Sequence, residues 1–139
     1  MDSFTAEQAS TLANYFLQLA QVVTDFKFTN WNMLHDDQKS KLGKMQQTIL
    51  SDGQDMLALS TTLVMDDIQD SLAQLHDLTS SIQKTMAGLN NINKGITIIA
   101  TIISLSGAIL SRDPKAITSA VQNLTTVYQS SVSNSKIKS

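Results

Sequence analysis

Seventeen consecutive residues, from Gly95 to Ser111, carry no charged side chain. Eleven of the fifteen residues from Ile96 to Leu110 are Ile, Leu, Ala or Gly, whereas the rest of the chain is polar and helix-patterned. A run this apolar is unstable in water, so it must be buried in the protein or placed in a membrane. It is short for a membrane span, which needs roughly 20 apolar residues. The sequence leaves open whether the segment is the core helix of a soluble bundle or a helix that meets lipid.

Composition otherwise indicates a single domain with no affinity for nucleic acid. The chain has 139 residues, a length that can bury a substantial core, and its net charge is −2. Surfaces that bind nucleic acid cluster Arg and Lys to displace counterions, whereas this chain has one arginine, Arg112. It has no cysteine, which excludes disulfides and Cys-ligated metals.

The N-terminal residues do not resemble a Sec-type signal peptide. Such a signal begins with basic residues followed by an apolar stretch, whereas this chain begins with Met1, Asp2, Ser3 and Phe4. We therefore expect a cytoplasmic protein or one exported by a signal-independent route.

Helical periodicity predicts the first helix. Thr5 and Gln8 have the spacing of a capping box, in which each side chain accepts a hydrogen bond from the backbone of the other residue. The apolar residues that follow are spaced by steps of four and three, which is typical of a helix–helix seam. They are Leu12, Phe16, Leu19, Val23 and Phe26.

The same periodicity predicts the last helix. Asp113 is expected to cap it, and Pro114 is expected at its first position, where a missing N–H is harmless. The apolar positions Ile117, Val121, Leu124 and Tyr128 follow at helical spacing. The Ser-rich residues 130–139 predict a disordered tail, so we expect one helical domain over residues 1–129.

The middle of the chain predicts either one long helix or two shorter ones. A helix is expected to begin near Asp36 and Asp37, which suit an N-cap and a first turn. Asp52 and Gly53 suggest a break, but the apolar pattern resumes in step after them. A helix over about 54–90 would be roughly 55 Å long, and Asn- and Gly-rich residues 90–95 predict a turn after it. We therefore predict an elongated all-α bundle of four or five helices with at least one long helix.

A cluster of aromatic and apolar residues interrupts the helical pattern between the first two helices. Phe28, Trp31, Met33 and Leu34 lie there among Asn residues. The favoured interpretation is a turn packed onto the bundle, and the alternative is an exposed binding surface.

Residues of the uncharged segment are the candidate site. We expect its large apolar side chains to meet lipid or a partner helix. They are Ile96, Ile98, Ile99, Ile102, Ile103, Leu105, Ile109 and Leu110. Small side chains at helical spacing allow close approach of another helix, in lipid or in a tight soluble bundle. This expected helix-contact face comprises Thr97, Ala100, Thr101, Ser104 and Ala108.

The order of these elements resembles a known class of membrane protein. A long amphipathic helix is followed by an Asn- and Gly-rich turn over Asn90–Gly95 and then by a short uncharged helix. Over roughly residues 54–128 this organisation resembles that of α-helical pore-forming toxins, in which a bundle hides an apolar segment until it meets a bilayer. The chain is shorter than typical members, so the resemblance implies a component of a multi-part toxin or a fragment-like relative.

No pattern of residues indicates an enzyme, a cofactor or a metal site. Asp66, Asp67 and Asp70 share the spacing of an aspartate-rich Mg²⁺–diphosphate motif, but they lie opposite the apolar stripe and are expected to form a solvated face. His35 and His76 are isolated, and the chain has a single glutamate, whereas di-iron bundles use several inward-facing ones. We therefore expect neither catalysis nor a small-molecule substrate.

Two functions remain open from the sequence. The first is a non-enzymatic, membrane-active protein that acts through its apolar helix, with a lipid membrane as its partner. The second is a soluble interaction or assembly module whose coiled-coil-type seams bind a second copy or another helical protein.

Overall fold

The structure is a computed structural model. It describes the backbone of residues 4–61, 65–89 and 91–138, and the side chains of these residues except 60, 61, 65–67 and 131–138. Five α-helices in this part of the chain pack as a bundle, and the described residues contain no strand. The predicted all-α bundle is therefore confirmed.

The helices are similar in length. They are α1 (Ala6–Thr29), α2 (Asp36–Asp55), α3 (Met65–Ala87), α4 (Ile92–Leu110) and α5 (Pro114–Lys138). A short 3-10 helix, Trp31–Met33, lies between α1 and α2, and another, Met56–Thr61, follows α2.

Local sequence signals define the start of α1 and of α5. Thr5 Oγ1 accepts from the Gln8 backbone N–H at 3.1 Å, and Gln8 Oε1 accepts from the Thr5 N–H at 2.8 Å, so the predicted capping box is confirmed. Asp113 Oδ1 accepts from the Lys115 N–H at 3.1 Å, and Pro114 begins α5 as predicted. The α2 helix begins at Asp36, as predicted, but its N-cap is His35, whose N–H donates to Gln38 Oε1.

The predicted seams form a single core. All five predicted α1 residues, from Leu12 to Phe26, are buried, and so are Ile117, Val121 and Leu124 of α5. Tyr128 is half-buried, and its hydroxyl lies 2.9 Å from that of Thr85 on α3.

Of the two possibilities for the middle of the chain, two helices are correct and a single helix over 37–90 is wrong. The second helix, α3, begins at Met65 and not near residue 54. The α2 helix continues through Asp52 and Gly53 to Asp55, and the 3-10 helix Met56–Thr61 then separates it from α3. Gly53 is not a break: a Cβ there would lie 3.2 Å from Phe16 Cβ, so the glycine permits close packing of α2 on α1. Met56 and Leu59 of this 3-10 helix are fully buried in the core.

The predicted turn at 90–95 is also shorter than expected. The α4 helix already begins at Ile92, because Asn91 Oδ1 accepts from the Lys94 backbone N–H at 3.1 Å and caps the helix. Asn93 and Gly95 therefore belong to the helix. Residue 90 lies outside the described residues.

Successive helices alternate in direction, so the bundle has two distinct ends. At one end, which we call the Asn30 end, Asn30 Nδ2 donates to the carbonyl oxygens of Phe26 (3.0 Å) and Leu89 (3.2 Å). The α1–α2 turn, the end of α3 and the beginning of α4 meet there. At the other end, the Asp52 end, Ser106 of α4 contacts Asp52 of α2.

The backbone of α5 is helical to Lys138, across the segment for which the sequence predicts disorder. The side chains beyond residue 130 lie outside the described residues, so the domain boundary at residue 129 stays a prediction.

Candidate functional site

The inner face of α4 is part of the bundle core. Of the residues expected to meet lipid or a partner, Ile98, Ile99, Ile102 and Leu105 are fully buried and Ile109 is 2 % exposed. The other three, Ile96, Ile103 and Leu110, are half-buried at the edges of this face. In this structure the bundle itself covers the apolar side of α4.

The outer face of α4 is open to solvent. Thr97, Ala100 and Ser104 of the predicted helix-contact face are exposed, whereas Ala108 is half-buried and Thr101 is buried. Neighbouring helices therefore do not surround α4 on all sides, as they would surround a central core helix. Contact of this face with a further helix stays a prediction.

Hydroxyl groups on α4 are bonded within the helix itself. Thr97 Oγ1 donates to the carbonyl oxygen of Asn93 at 2.9 Å, and Thr101 Oγ1 donates to that of Thr97 at 2.8 Å. Such bonds to the preceding turn satisfy a hydroxyl without water. The hydroxyl groups of these two side chains therefore keep a hydrogen-bond partner even where water is absent.

The length and charge of α4 suit a membrane-spanning helix. Among the described residues it is the one helix long and apolar enough to cross a membrane, although the core helix of a soluble protein can also meet this criterion. Its 19 residues extend roughly 28 Å, close to the ~30 Å hydrocarbon thickness of a bilayer. Its single charged residue, Lys94, lies in the first turn, where a long side chain can reach the lipid headgroups.

A glycine controls how closely α4 packs on α1. Gly95 is buried, and a Cβ at this position would overlap the aromatic ring of Phe26. Gly107, further along α4, has nothing within 4 Å of an added Cβ. Gly95 is thus required for close packing at the Asn30 end, and the sequence pattern alone had suggested a turn residue.

A polar contact joins α4 to α2 at the Asp52 end. The Ser106 hydroxyl is buried, 2.6 Å from Asp52 Oδ2 and 2.8 Å from the carbonyl oxygen of Ile103. The short distance and the charge of the carboxylate favour donation to Asp52. No periodicity in the sequence indicates this pair.

Three of the four aromatic and apolar residues of the α1–α2 turn are exposed. Phe28 is 66 %, Met33 54 % and Trp31 40 % exposed, and only Leu34 is buried. The favoured interpretation of a packed turn is therefore wrong for these three side chains. Phe28 is exposed in the last turn of α1, and Trp31 and Met33 are exposed on the 3-10 helix that follows. The alternative, an exposed surface, describes them correctly.

Residues considered for catalysis or metal binding are not brought together. His76 Nδ1 lies 3.2 Å from the Tyr15 hydroxyl on the bundle surface, and His35 is exposed at the start of α2. Asp70 is exposed, and the side chains of Asp66 and Asp67 lie outside the described residues. No group of three or more His, Asp or Glu side chains able to hold a metal occurs in the part of the chain that the structure describes.

Comparison with known proteins adds no family to this description. No protein-family model matches the chain, and no curated protein or solved structure is significantly similar to it.

Proposed function

We propose that this protein is a non-enzymatic, membrane-associating helical protein, and that α4 is the segment that leaves the bundle and enters the lipid bilayer. The observation that carries the proposal is the chemistry of the inner and outer faces of α4. Its inner face is largely aliphatic, with Thr101 and Ser106 as its buried polar residues, its outer face consists mainly of small residues, and its one charge lies at its beginning. The hydroxyls of Thr97 and Thr101 are bonded within the helix.

Energetics explain why such a helix would leave the bundle only at a membrane. Exposing the five buried aliphatic side chains of α4 to water would cost roughly 10 kcal/mol, at about 2 kcal/mol each. Moving the same side chains into hydrocarbon keeps them out of water, so this free-energy cost is largely avoided. The bilayer therefore removes the cost of exposing α4 itself, which is one side of the interface that holds α4 in place.

The remaining helices have contacts of their own when α4 is absent. The α1 helix packs directly on α2 and α3, and α3 packs on α5. These contacts hold α1, α2, α3 and α5 to one another, and displacement of α4 uncovers the faces of α5 and α2 on which it packs. A hidden apolar helix inside a bundle is also the arrangement that the resemblance to α-helical pore-forming toxins implies, and it favours a toxin-like component.

The experiment is liposome flotation with parallel dye release, and the informative variant is Ile103→Asp. Ile103 is half-buried in a surface groove beside Lys41, Lys44 and Thr48 of α2, so an aspartate there can reach solvent and lysine while the protein stays folded. In the middle of a membrane helix the same aspartate costs about 3 kcal/mol. We expect dye release to fall roughly a hundredfold, with an unchanged circular dichroism spectrum.

The matched control is Thr48→Asp, which adds the same charge to the same groove but on α2. It should release dye as the unmodified protein does. A folded Ile103→Asp protein that releases dye at the normal rate, or an unmodified protein that releases none, would contradict the proposal.

A second candidate function is a soluble interaction or assembly module. It is favoured by the complete burial of the inner face of α4 and by the exposed side chains of the α1–α2 turn. This function predicts concentration-dependent association in lipid-free buffer and no vesicle binding. Sedimentation velocity distinguishes the two, because a monodisperse monomer that binds vesicles supports only the first.

A further inference from the structure

We infer that an exposed patch at the Asn30 end is the surface by which the protein first binds the phosphate-bearing interface of a phospholipid bilayer, before α4 moves. The patch, which we call the aromatic–lysine patch, comprises Phe28, Trp31, Met33, Lys27 and Lys39. The inference rests on the proposed membrane association and names the surface that begins it.

The apolar side chains of the patch are exposed and close together in the chain. The rings of Phe28 and Trp31 are nearly parallel, 28° apart, with their centroids separated by 6.1 Å. Met33 is exposed on the same 3-10 helix as Trp31. Three large apolar side chains exposed within six residues of chain form a local cluster, whereas scattered exposed apolar residues are ordinary.

Two lysines flank the indole. Lys39 Nζ lies 4.1 Å and Lys27 Nζ 5.6 Å from the centroid of the Trp31 ring. Both lysines are half-buried, and a Cβ at Gly43 would lie 3.4 Å from Lys27 Nζ. No carboxylate of the described residues forms an ion pair with either ammonium group, which leaves both charges for an external anion.

The bilayer interface has the matching chemistry. It presents phosphate groups directly above an apolar layer, and Trp is enriched at this depth because its ring is apolar while its N–H is polar. Lysine stems lie along apolar surface while their ammonium groups reach phosphate. Asp36 and Asp37 are close by, in the first turn of α2, where the helix N-terminus stabilises their negative charge. Because two carboxylates lie near the two lysines, we expect the patch to favour the phosphate groups of phospholipids over a strongly acidic surface.

The patch lies where lipid contact can affect α4. Asn30 lies between Phe28 and Trp31, and its Nδ2 donates to the carbonyl oxygen of Leu89, just before α4. Gly95 of α4 packs against Phe26. A bilayer that binds the patch therefore lies next to the beginning of the apolar helix.

Trp31 is the only tryptophan of the chain, so its fluorescence reports on the patch alone. The experiment titrates the full chain with phosphatidylcholine vesicles, with and without phosphatidylglycerol, and follows Trp31 emission and dye release in parallel. We expect a blue shift of the emission and quenching by lipids brominated near the headgroup.

Two double variants and one control test the residues. Phe28→Ser with Met33→Ser should weaken vesicle binding at least about tenfold. Lys27→Gln with Lys39→Gln should weaken binding to the anionic vesicles by about fivefold per lysine. Leu17→Ser with Leu57→Ser, which alters exposed leucines outside the patch, should bind as the unmodified protein does.

The outcomes separate this inference from the proposed function. Dye release with no change in Trp31 emission overturns the patch and leaves insertion of α4 standing. A Trp31 blue shift without dye release supports the patch and overturns insertion, whereas neither signal overturns both. A blue shift that grows with protein concentration in lipid-free buffer means that a second copy covers the patch, and it also overturns the inference.

Discussion

The inner face of α4 and the aromatic–lysine patch are both rich in large apolar side chains, yet the bundle buries one and exposes the other. On α4, five aliphatic residues recur at helical spacing and are at most 2 % exposed. In the patch, Phe28, Trp31 and Met33 lie at the end of a helix and in a single 3-10 turn, and each is at least 40 % exposed.

The difference shows what removes apolar surface from water in this fold. Helical periodicity places side chains on one line, which a neighbouring helix can cover over its whole length. A cluster in a short turn offers no such line, so only Leu34, which points inward, is buried. Exposed apolar surface of this kind contributes little to folding and is available for binding.

The largest expected effect tests the buried side of this comparison. Ile99→Asp places a charge where the side chain has no exposure, and an unpaired buried charge destabilises a protein by several kcal/mol. Because domains are stable by only about 5–15 kcal/mol, we expect the variant to be largely unfolded by circular dichroism. Ala100→Asp, on the exposed face one residue later, should stay within about 1 kcal/mol of the unmodified protein in urea denaturation. Equal losses for the two variants would mean that α4 is not packed as described.

The next effect tests how α4 is held at the Asn30 end. Gly95→Ala forces a methyl group against the buried ring of Phe26 and should destabilise the protein by about 1–3 kcal/mol. Gly107→Ala is the matched control, because open space surrounds it and alanine is about 1 kcal/mol more favourable than glycine in a helix. In urea denaturation we expect Gly95→Ala to lower the free energy of unfolding and Gly107→Ala to raise it. If release of α4 limits insertion, Gly95→Ala should also accelerate dye release, whereas a stabilising Gly95→Ala change would exclude the close contact.

A smaller effect is expected at the Asp52 end. Ser106→Ala removes the hydroxyl that lies 2.6 Å from Asp52 Oδ2, and we expect a loss of about 1–2 kcal/mol because the acceptor is charged. A double-mutant cycle with Asp52→Ala isolates the pair, since alanine at either position removes the interaction. A coupling energy near zero would show that the hydroxyl bonds only to the Ile103 carbonyl oxygen.

Local signals predicted the parts of this fold that depend on neighbours in sequence. The Thr5–Gln8 capping box, the start of α5 at Pro114 and the seam from Leu12 to Phe26 all agree with the structure. Each depends on side chains a few residues apart, where spacing alone determines which groups meet.

Contacts between distant residues account for what the sequence could not predict. Gly53 and Gly95 were interpreted as break and turn residues, but Phe16 and Phe26 of α1 make them packing positions. Ser106 and Asp52 lie 54 residues apart, so no periodicity could pair them. In the candidate site, the sequence identified α4 but not which of its residues would be covered, because that depends on where α5 and α2 lie.

The smallest expected effect tests the exposed side of the comparison. Phe28→Ser with Met33→Ser should change the free energy of unfolding by no more than about 0.5 kcal/mol, because both side chains already face water in the folded protein. The control is Leu34→Ala in the same turn, which truncates a side chain that is 6 % exposed and should cost about 2 kcal/mol or more. Urea denaturation of the three proteins measures both values. A large loss of stability for the double variant would mean that the patch is packed in solution and cannot bind a membrane. Unchanged stability combined with weakened vesicle binding would separate the surface that binds from the helix that inserts.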